Sequence, residues 1–183
     1  KVAQWNGAGG IDAWRSGCYH RRHMQGTAAR YSATMVDERQ VRIHFGVTNK
    51  CNNNCVFCLD EDRPNTHFSD GTPAYKDLSQ LEQAREVFRK RVAVSRDVTF
   101  TYGEPTSNPH LPRFVAAAKE AGFVNIAVQT NGRMLAYRSY CEALLAAGMT
   151  RFSISIHGHA KKLHESATRT KGSFEQTVAA IRN

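Results

Sequence analysis

Three of the chain's five cysteines lie within eight residues, at a spacing that suits metal chemistry. Cys51, Cys55 and Cys58 follow the pattern C-x3-C-x2-C, and no fourth cysteine stands nearby. Three thiolates at this spacing can each hold one iron of a [4Fe–4S] cluster, which would leave the remaining iron without a protein ligand. Catalytic zinc sites keep one position open for a small molecule in the same way. The pattern therefore predicts a metal centre that binds a ligand.

Two other interpretations of these cysteines need weighing. A zinc ion could take His44 or His67 as its fourth ligand, and the protein would then be a metal-stabilised module that binds a partner without catalysis. A disulfide is disfavoured because cysteines this close together suit metal sites, and nothing in the sequence indicates a secreted chain. The iron–sulfur and zinc hypotheses both stay open on spacing alone.

The elements that must position the cysteines begin at residue 41, where strand and helix patterns alternate four times. Strands are predicted at 41–45, 98–102, 124–129 and 152–156. The segments between them carry apolar residues at helical spacing, and two of these helices are predicted to end at Gly122 and Gly148. Capping boxes are predicted to begin at Ser79 and Ser173. This alternation predicts an α/β fold with a parallel sheet and right-handed crossovers.

The two faces of the predicted strands differ in polarity. In the fourth strand, Phe152 and Ile154 share one face, while Ser153 and Ser155 share the other. Parallel strands that are covered on both faces normally carry continuous apolar runs, which these strands lack. We therefore expect one face to pack on helices and the other to line a cavity with small and polar groups.

Polar motifs stand at the ends of three strands, where parallel α/β sheets bind their ligands. Each motif alone would pass for an ordinary turn. The three motifs are Tyr102-Gly103-Glu104-Pro105, Gln129-Thr130-Asn131-Gly132 and Ser155-Ile156-His157-Gly158. Arg169 follows the last of them, shortly before a Gly-Ser-Phe helix start. Because each comes at the end of a predicted strand downstream of the cysteines, together they predict one site.

Taken with the cysteines, these motifs resemble those of the radical S-adenosylmethionine (radical SAM) family. Its cysteine motif has an aromatic residue before the last cysteine, and Phe57 occupies that place. The motif at Gly103 is similar to the family's G-G-E-P, with Tyr102 in place of the first glycine, and the motif at Asn131 is similar to its T-N-G. The resemblance implies that the cysteines ligate a [4Fe–4S] cluster and that S-adenosylmethionine chelates its open iron.

The same resemblance implies roles for individual residues. Phe57 would cover the adenine side of the cofactor, and Glu104 would help to hold its amino group. Ser155 and Arg169 would bind its carboxylate, which a guanidinium grips with two hydrogen bonds. His157 replaces the acid usual in such relatives, so its role at the ribose or substrate is open. The full implied set is Phe57, Gly103, Glu104, Pro105, Gln129, Asn131, Ser155, His157 and Arg169.

The resemblance also implies a fold and a reaction. The family fold is a partial (βα)6 barrel, of which residues 41–183 would supply about four βα units, after a loosely structured lead-in over residues 1–40. We therefore expect a piece of a longer protein, and an inactive fragment is one hypothesis. The implied reaction is reductive cleavage of S-adenosylmethionine to a 5′-deoxyadenosyl radical, which abstracts hydrogen from a substrate. An electron donor such as a flavodoxin or ferredoxin is implied, and the substrate is a peptide or a cofactor precursor.

Composition and charge bear on whether the protein binds nucleic acid or a membrane. The formal net charge is +9, with the basic residues scattered along the chain, which indicates a solvated surface or an anionic partner. No nucleic-acid-binding motif is present, and no apolar run is long enough to span a membrane. The sequence predicts a soluble cytoplasmic protein.

Overall fold

The computed structural model describes residues 41–58 and 75–183. The predicted lead-in at 1–40 and the candidate ligand His67 lie outside these residues. The described strands are β1 (Ile43–Gly46), β2 (Asp97–Thr101), β3 (Asn125–Thr130) and β4 (Arg151–Ile154). The described helices are α1 (Leu81–Arg91), α2 (Leu111–Ala121), α3 (Arg138–Ala147), α4 (Lys161–Thr168) and α5 (Ser173–Arg182). Within these residues no helix combines the length and apolar character needed to cross a bilayer.

The four described strands form one parallel sheet in the order β1-β2-β3-β4. Phe45 pairs with Phe100, Phe100 with Val128, and Val128 with Phe152, so apolar side chains form a row across the sheet. The α/β class and the parallel sheet are therefore confirmed. The strands are each displaced by one or two residues from their predicted limits.

One face of the sheet carries the core. Phe88 on α1 packs against Phe45, with ring centroids 4.6 Å apart, and lies edge-on to Phe100 at 6.3 Å. The opposite face carries a polar row, in which Gly46 pairs with Thr101 and Gln129 pairs with Ser153. Gln129 and Ser153 are exposed there. The predicted difference between the two faces is confirmed.

The observed helix ends agree with the predicted glycine C-caps but not with the predicted capping boxes. Gly122 and Gly148 adopt left-handed conformations, with φ of 103° and 113°, and end α2 and α3 as predicted. The capping box predicted at Ser79 is wrong, since the box begins two residues earlier. The Asp77 carboxylate accepts a hydrogen bond from the Ser79 N–H at 2.9 Å, and the Gln80 side chain accepts one from the Asp77 N–H at 3.2 Å.

The capping box predicted at Ser173 is also wrong. Ser173 is the first residue of α5 and follows Gly172, and no side-chain hydrogen bond caps this helix. The Ser173 hydroxyl instead lies 2.8 Å from the Thr168 hydroxyl at the end of α4, in a buried contact. The short α4 itself was not predicted, because its eight residues are too few for a periodic apolar pattern to stand out.

Candidate functional site

The cysteine loop follows β1 at the carboxyl edge of the sheet. Cys51 and Cys55 are partly buried, Cys58 is exposed, and all three thiols are free. Two backbone hydrogen bonds fasten this loop to the end of α4, from the Asn54 N–H to the Thr168 carbonyl at 3.0 Å and from the Val56 N–H to the Ala167 carbonyl at 2.9 Å. The last carbonyls of a helix have no partner within it, so α4 offers the loop ready acceptors.

The turn at Gly103 holds the beginning of the loop. The Glu104 N–H donates to the Lys50 carbonyl at 2.7 Å, one residue before Cys51. Gly103 has a φ of +55°, and a Cβ atom there would collide with the Lys50 carbonyl oxygen and lie 2.9 Å from the Asn49 carbonyl carbon. The backbone can therefore close on the loop only because residue 103 is glycine.

Tyr102 stands where the similar family motif has glycine, and its backbone keeps a glycine-like conformation. Its φ is +70°, in the left-handed region that costs a side-chain-bearing residue about 1–2 kcal/mol. The Tyr102 ring lies against Gly46, where an added Cβ would be 3.1 Å from the ring edge. The substitution thus changes the side chain presented at this edge and leaves the turn in place.

The Glu104 carboxylate is directed inward and is almost fully buried, with 1% of the residue exposed. One oxygen accepts hydrogen bonds from the Thr106 N–H at 3.0 Å, from the Thr106 hydroxyl at 2.5 Å and from the Thr130 hydroxyl at 2.7 Å. The other oxygen accepts from the Asn131 N–H at 2.7 Å. Burial raises the pKa of Glu104, and these hydrogen bonds oppose the rise. Glu104 therefore ties the end of β2 to the end of β3, and its contact with a cofactor stays a prediction.

Asn131 connects the Glu104 carboxylate to the cysteine loop. Its side-chain N–H donates to the Asn52 side-chain oxygen at 2.6 Å and lies 3.9 Å from the Cys51 sulfur. Its side-chain oxygen accepts from the Arg133 N–H at 3.0 Å. The structure thus brings the T-N-G-like motif against the first cysteine, and contact between Asn131 and a cofactor stays a prediction.

Arg133 is a residue that sequence reasoning missed. Its guanidinium donates to the Asn52 carbonyl and to the Asn53 side-chain oxygen, the latter at 3.2 Å. A third hydrogen bond, 2.6 Å long, runs to the Gln176 side chain on α5. These contacts join residues 43 to 81 positions apart, so no local pattern could have indicated them. The one sequence feature that could have pointed to a partner for the loop was its run of three asparagines, whose side chains and carbonyls need hydrogen-bond donors when buried.

Aromatic rings form a row beside the last cysteine. Phe57 is half exposed, and its ring centroid lies 4.6 Å from that of His157. The His157 ring lies 5.7 Å from His164, whose ring lies 5.7 Å from Phe174 on α5. The His157 N–H donates to Nδ1 of His164 at 3.2 Å. Burial lowers the pKa of both histidines. His157 thus supports Phe57, and His164 packs between His157 and the following helix.

The remaining predicted residues occupy the same edge of the sheet. Ser155 is exposed just after β4, and its N–H donates to the Thr130 carbonyl at 2.9 Å. Arg169 is exposed at the end of α4 with a φ of +50°. Gln129 accepts a hydrogen bond from the Thr101 hydroxyl at 3.0 Å, and Pro105 opens a buried 3₁₀ turn. Among residues 41–58 and 75–183, neither the Ser155 hydroxyl nor the Arg169 guanidinium has a protein partner, so both are available to a ligand.

The chemistry of the thiols fits an anionic cluster site. Burial raises the pKa of Cys51 and raises that of Cys55 to about 11, and repulsion from neighbouring cysteines adds to both. A bound cation would relieve this repulsion and favour the thiolate forms of Cys51 and Cys55. The loop also holds two buried polar atoms without a partner in the described part of the chain, the Asn49 side-chain oxygen and the Asn53 side-chain nitrogen.

Zinc and an iron–sulfur cluster use three thiolates differently. One zinc ion binds all of its thiolates at a single centre, with Zn–S bonds near 2.3 Å. A [4Fe–4S] cluster binds each thiolate at a different iron. Among the described residues, no group of three or more His, Cys, Asp or Glu side chains is arranged to hold a metal ion. His44, the zinc ligand proposed within the described range, is exposed on β1.

The chain is similar to several known proteins. Residues 45–183 match the sequence profile of the Radical SAM superfamily. The 7,8-dihydro-6-hydroxymethylpterin dimethyltransferase of Methanocaldococcus jannaschii is 28% identical over 119 residues, which are 65% of this chain and 22% of that protein. The GTP 3′,8-cyclase of Chlorobaculum tepidum is 29% identical over 140 residues, 76% of this chain and 39% of that protein. The AdoMet-dependent heme synthase of Methanosarcina barkeri is 26% identical over 140 residues, 76% and 37% of the two chains. The chain spans less than half the length of these relatives.

Proposed function

The chain belongs to the radical SAM superfamily, and on that premise we propose that it works in a radical SAM enzyme with a [4Fe–4S] cluster held by Cys51, Cys55 and Cys58. The observation that carries the proposal is the set of three free thiols in one loop at the carboxyl edge of a parallel sheet. When bound, the cluster and S-adenosylmethionine supply an electron and a 5′-deoxyadenosyl radical that abstracts hydrogen from the substrate. The protein supplies binding and orientation.

The exposed polar groups at the same edge suit the amino-acid end of S-adenosylmethionine. In this proposal Arg169 holds the carboxylate with two hydrogen bonds, and the Ser155 hydroxyl donates a third. The exposure of both side chains supports these roles. Gly103 and Pro105 shape the turn that faces the amino group, and Asn131 and Gln129 line the adjoining strand end.

The half-exposed Phe57 ring is assigned to the adenine side of the cofactor. His157 lies against that ring, at a centroid separation of 4.6 Å, and so limits its movement. Because burial lowers the pKa of His157, its imidazole is neutral at pH 7 and can stack without adding a charge beside the cofactor. We propose that His157 contributes to cofactor binding through Phe57.

We propose a small-molecule cofactor precursor as the substrate, in preference to a peptide. The names of three relatives concern a pterin, GTP and heme, which are all heterocyclic small molecules. The polar row on the open face of the sheet, with Gln129 and Ser153 exposed, offers hydrogen-bonding groups for such a molecule. A flavodoxin or ferredoxin is the proposed electron donor, and the exposure of Cys58 gives it access to the cluster. A reducing cytoplasm suits this chemistry.

The decisive experiment is anaerobic iron–sulfur reconstitution of the full-length protein, followed by dithionite, S-adenosylmethionine and an assay for 5′-deoxyadenosine. We expect the product from the wild type and none from Cys51→Ala. Cys141→Ala is the matched control, because Cys141 lies on α3 and its thiol donates to the Leu135 carbonyl at 3.2 Å, outside the cysteine loop. A folded protein that binds zinc, shows no iron–sulfur absorption and forms no 5′-deoxyadenosine would overturn the proposal and support a non-catalytic module.

A further inference from the structure

The loop between the first two cysteines consists of three asparagines, and each has a different partner. The Asn52 side chain accepts a hydrogen bond from Asn131 at 2.6 Å. Asn53 is buried and its side-chain oxygen accepts from Arg133. Asn54 is exposed, and its backbone N–H donates to the end of α4. The loop is thus held from both sides, and Arg133 is the cation that takes part in these contacts.

A single peptide group lies between Arg133 and Cys51. The carbonyl of Asn52 and the N–H of Asn53 belong to the same peptide unit. The Arg133 guanidinium donates to that carbonyl, while the N–H of the unit donates to the Cys51 sulfur at 3.4 Å. Hydrogen bonds in such a chain polarise one another, so a cation at the carbonyl strengthens the N–H as a donor.

Hydrogen bonds to cysteine sulfurs tune iron–sulfur clusters. They stabilise the more negative, reduced state and raise the reduction potential. The guanidinium cannot lose its charge, and its third hydrogen bond to Gln176 on α5 fixes its orientation. Arg133 is also half-buried, which lessens the screening of its charge by water.

We propose that Arg133 is a positioning residue that acts on the cluster through the Asn52–Asn53 peptide, holding its N–H toward the Cys51 sulfur and making the cluster easier to reduce. This inference rests on the proposed function, since it requires a cluster at Cys51. The guanidinium acts on Cys51 through that peptide, while the Arg133 backbone N–H donates separately to the Asn131 side-chain oxygen at 3.0 Å.

The test is an EPR-monitored redox titration of the reconstituted full-length protein, with iron content measured on each sample. We expect Arg133→Met and Arg133→Gln to lower the midpoint potential, and Arg133→Lys to remain close to the wild type because it keeps the charge. Arg138→Met is the matched control, because Arg138 is an exposed residue of α3 paired with Glu142 at 3.2 Å. Its potential should not change.

The outcomes separate this inference from the proposed function. A wild-type protein that takes up no cluster would overturn the proposed function itself. Wild-type midpoint potentials in both neutral variants, at full iron content, would overturn only the role of Arg133. If the neutral variants lose the cluster while Arg133→Lys and Arg138→Met retain it, the role of the Arg133 charge in holding the Asn52–Asn53 peptide beside the cluster is supported. Loss of the cluster from Arg133→Lys as well would show that packing, rather than charge, matters at this position and would overturn the inference.

Discussion

A hydrogen bond of 2.7 Å joins the Glu104 carboxylate to the backbone N–H of Asn131. It fastens the end of β2 to the end of β3, and Asn131 then reaches the cysteine loop through Asn52. Glu104, which the family resemblance assigns to the cofactor, thus also supports the cysteine loop through Asn131.

Replacing the Glu104 carboxylate by an amide tests how much these hydrogen bonds stabilise the fold. In Glu104→Gln, four donors converge on a group that now offers one acceptor oxygen and an N–H₂, so one donor must face another. A buried polar group left unsatisfied costs about 1–3 kcal/mol, and we expect the free energy of unfolding to fall by that amount. Urea unfolding measures it. The control Glu142→Gln, at an exposed position on α3, should stay within about 0.5 kcal/mol of the wild type.

The need for glycine at position 103 can be tested by comparison with Gly172. Both residues have a positive φ, but only at Gly172 is there room for an added Cβ. Gly103→Ala should both strain the left-handed backbone and push against the Lys50 carbonyl. Gly172 has a φ of +81° with nothing within 4 Å of an added Cβ, so Gly172→Ala carries only the backbone cost of about 1 kcal/mol. We expect Gly103→Ala to lose more stability than Gly172→Ala and to take up less iron. Equal losses, with iron uptake intact, would contradict the close approach described here.

The strained backbone of Tyr102 makes a further prediction. Tyr102→Gly removes a conformational cost of about 1–2 kcal/mol but adds flexibility to the unfolded chain. We therefore expect the free energy of unfolding to change little and iron uptake to persist. Tyr102→Val places a branched side chain at a φ of +70° and should destabilise the fold measurably. A Tyr102→Gly protein that loses its iron would mean that the ring itself, and not the turn, supports the site.

The half-buried His157 and the buried His164 should make the free energy of unfolding depend on pH. Burial lowers the pKa of His157 and of His164 in the folded state, so below pH 6.5 the unfolded chain binds more protons than the folded one. Their contribution to stability is present above about pH 6.5 and is lost as the pH falls through the folded-state values. Glu104, whose pKa is raised, acts in the opposite direction, so variants must be compared at each pH.

His164→Asn isolates one of these groups. An asparagine oxygen can accept the hydrogen bond from the His157 N–H but does not titrate. We expect stability to fall less steeply between pH 7 and pH 5.5 than in the wild type, by at most about 1.4 kcal/mol per pH unit. Urea unfolding across that range measures the difference, with His159→Asn, at an exposed loop residue, as the control. Parallel slopes for the wild type and His164→Asn would refute the assignment.

Arg169 makes the most direct prediction about ligand binding. Hydrogen bonds to charged groups contribute about 1.5–3 kcal/mol, so Arg169→Met should weaken S-adenosylmethionine binding by about ten- to a hundredfold. Calorimetry on the anaerobically reconstituted protein measures the Kd, and Arg113→Met, on the exposed surface of α2, provides the comparison. Unchanged affinity in Arg169→Met would remove this residue from the proposed site.

The sequence predicted those features that depend on local patterns. Alternation between Phe152 and Ser153 was enough to assign the two faces of the sheet, because side chains in a strand alternate strictly. Gly122 ended its helix as predicted, since glycine adopts the left-handed conformation at little cost. The cysteine spacing likewise located the candidate site, because the three cysteines lie within eight residues.

Features that depend on tertiary contacts could not be predicted. The role of Glu104 at a cofactor stays a prediction, but its hydrogen bonds within the protein depend on hydroxyls that Thr106 and Thr130 bring from two elements. The Ser79 capping box failed because Asp77 and Gln80 form an overlapping box two residues earlier. Arg133 reaches across about eighty positions to Asn52, and sequence proximity carries no information about such a contact.

The two hydrogen bonds from the cysteine loop to the last carbonyls of α4 hold the three candidate metal ligands and the end of that helix in one arrangement. Arg169 comes directly after those carbonyls, so whatever orders the loop also sets the direction in which this guanidinium leaves the helix. Under the proposed function, a cluster that orders the loop would also orient this guanidinium for the carboxylate of S-adenosylmethionine.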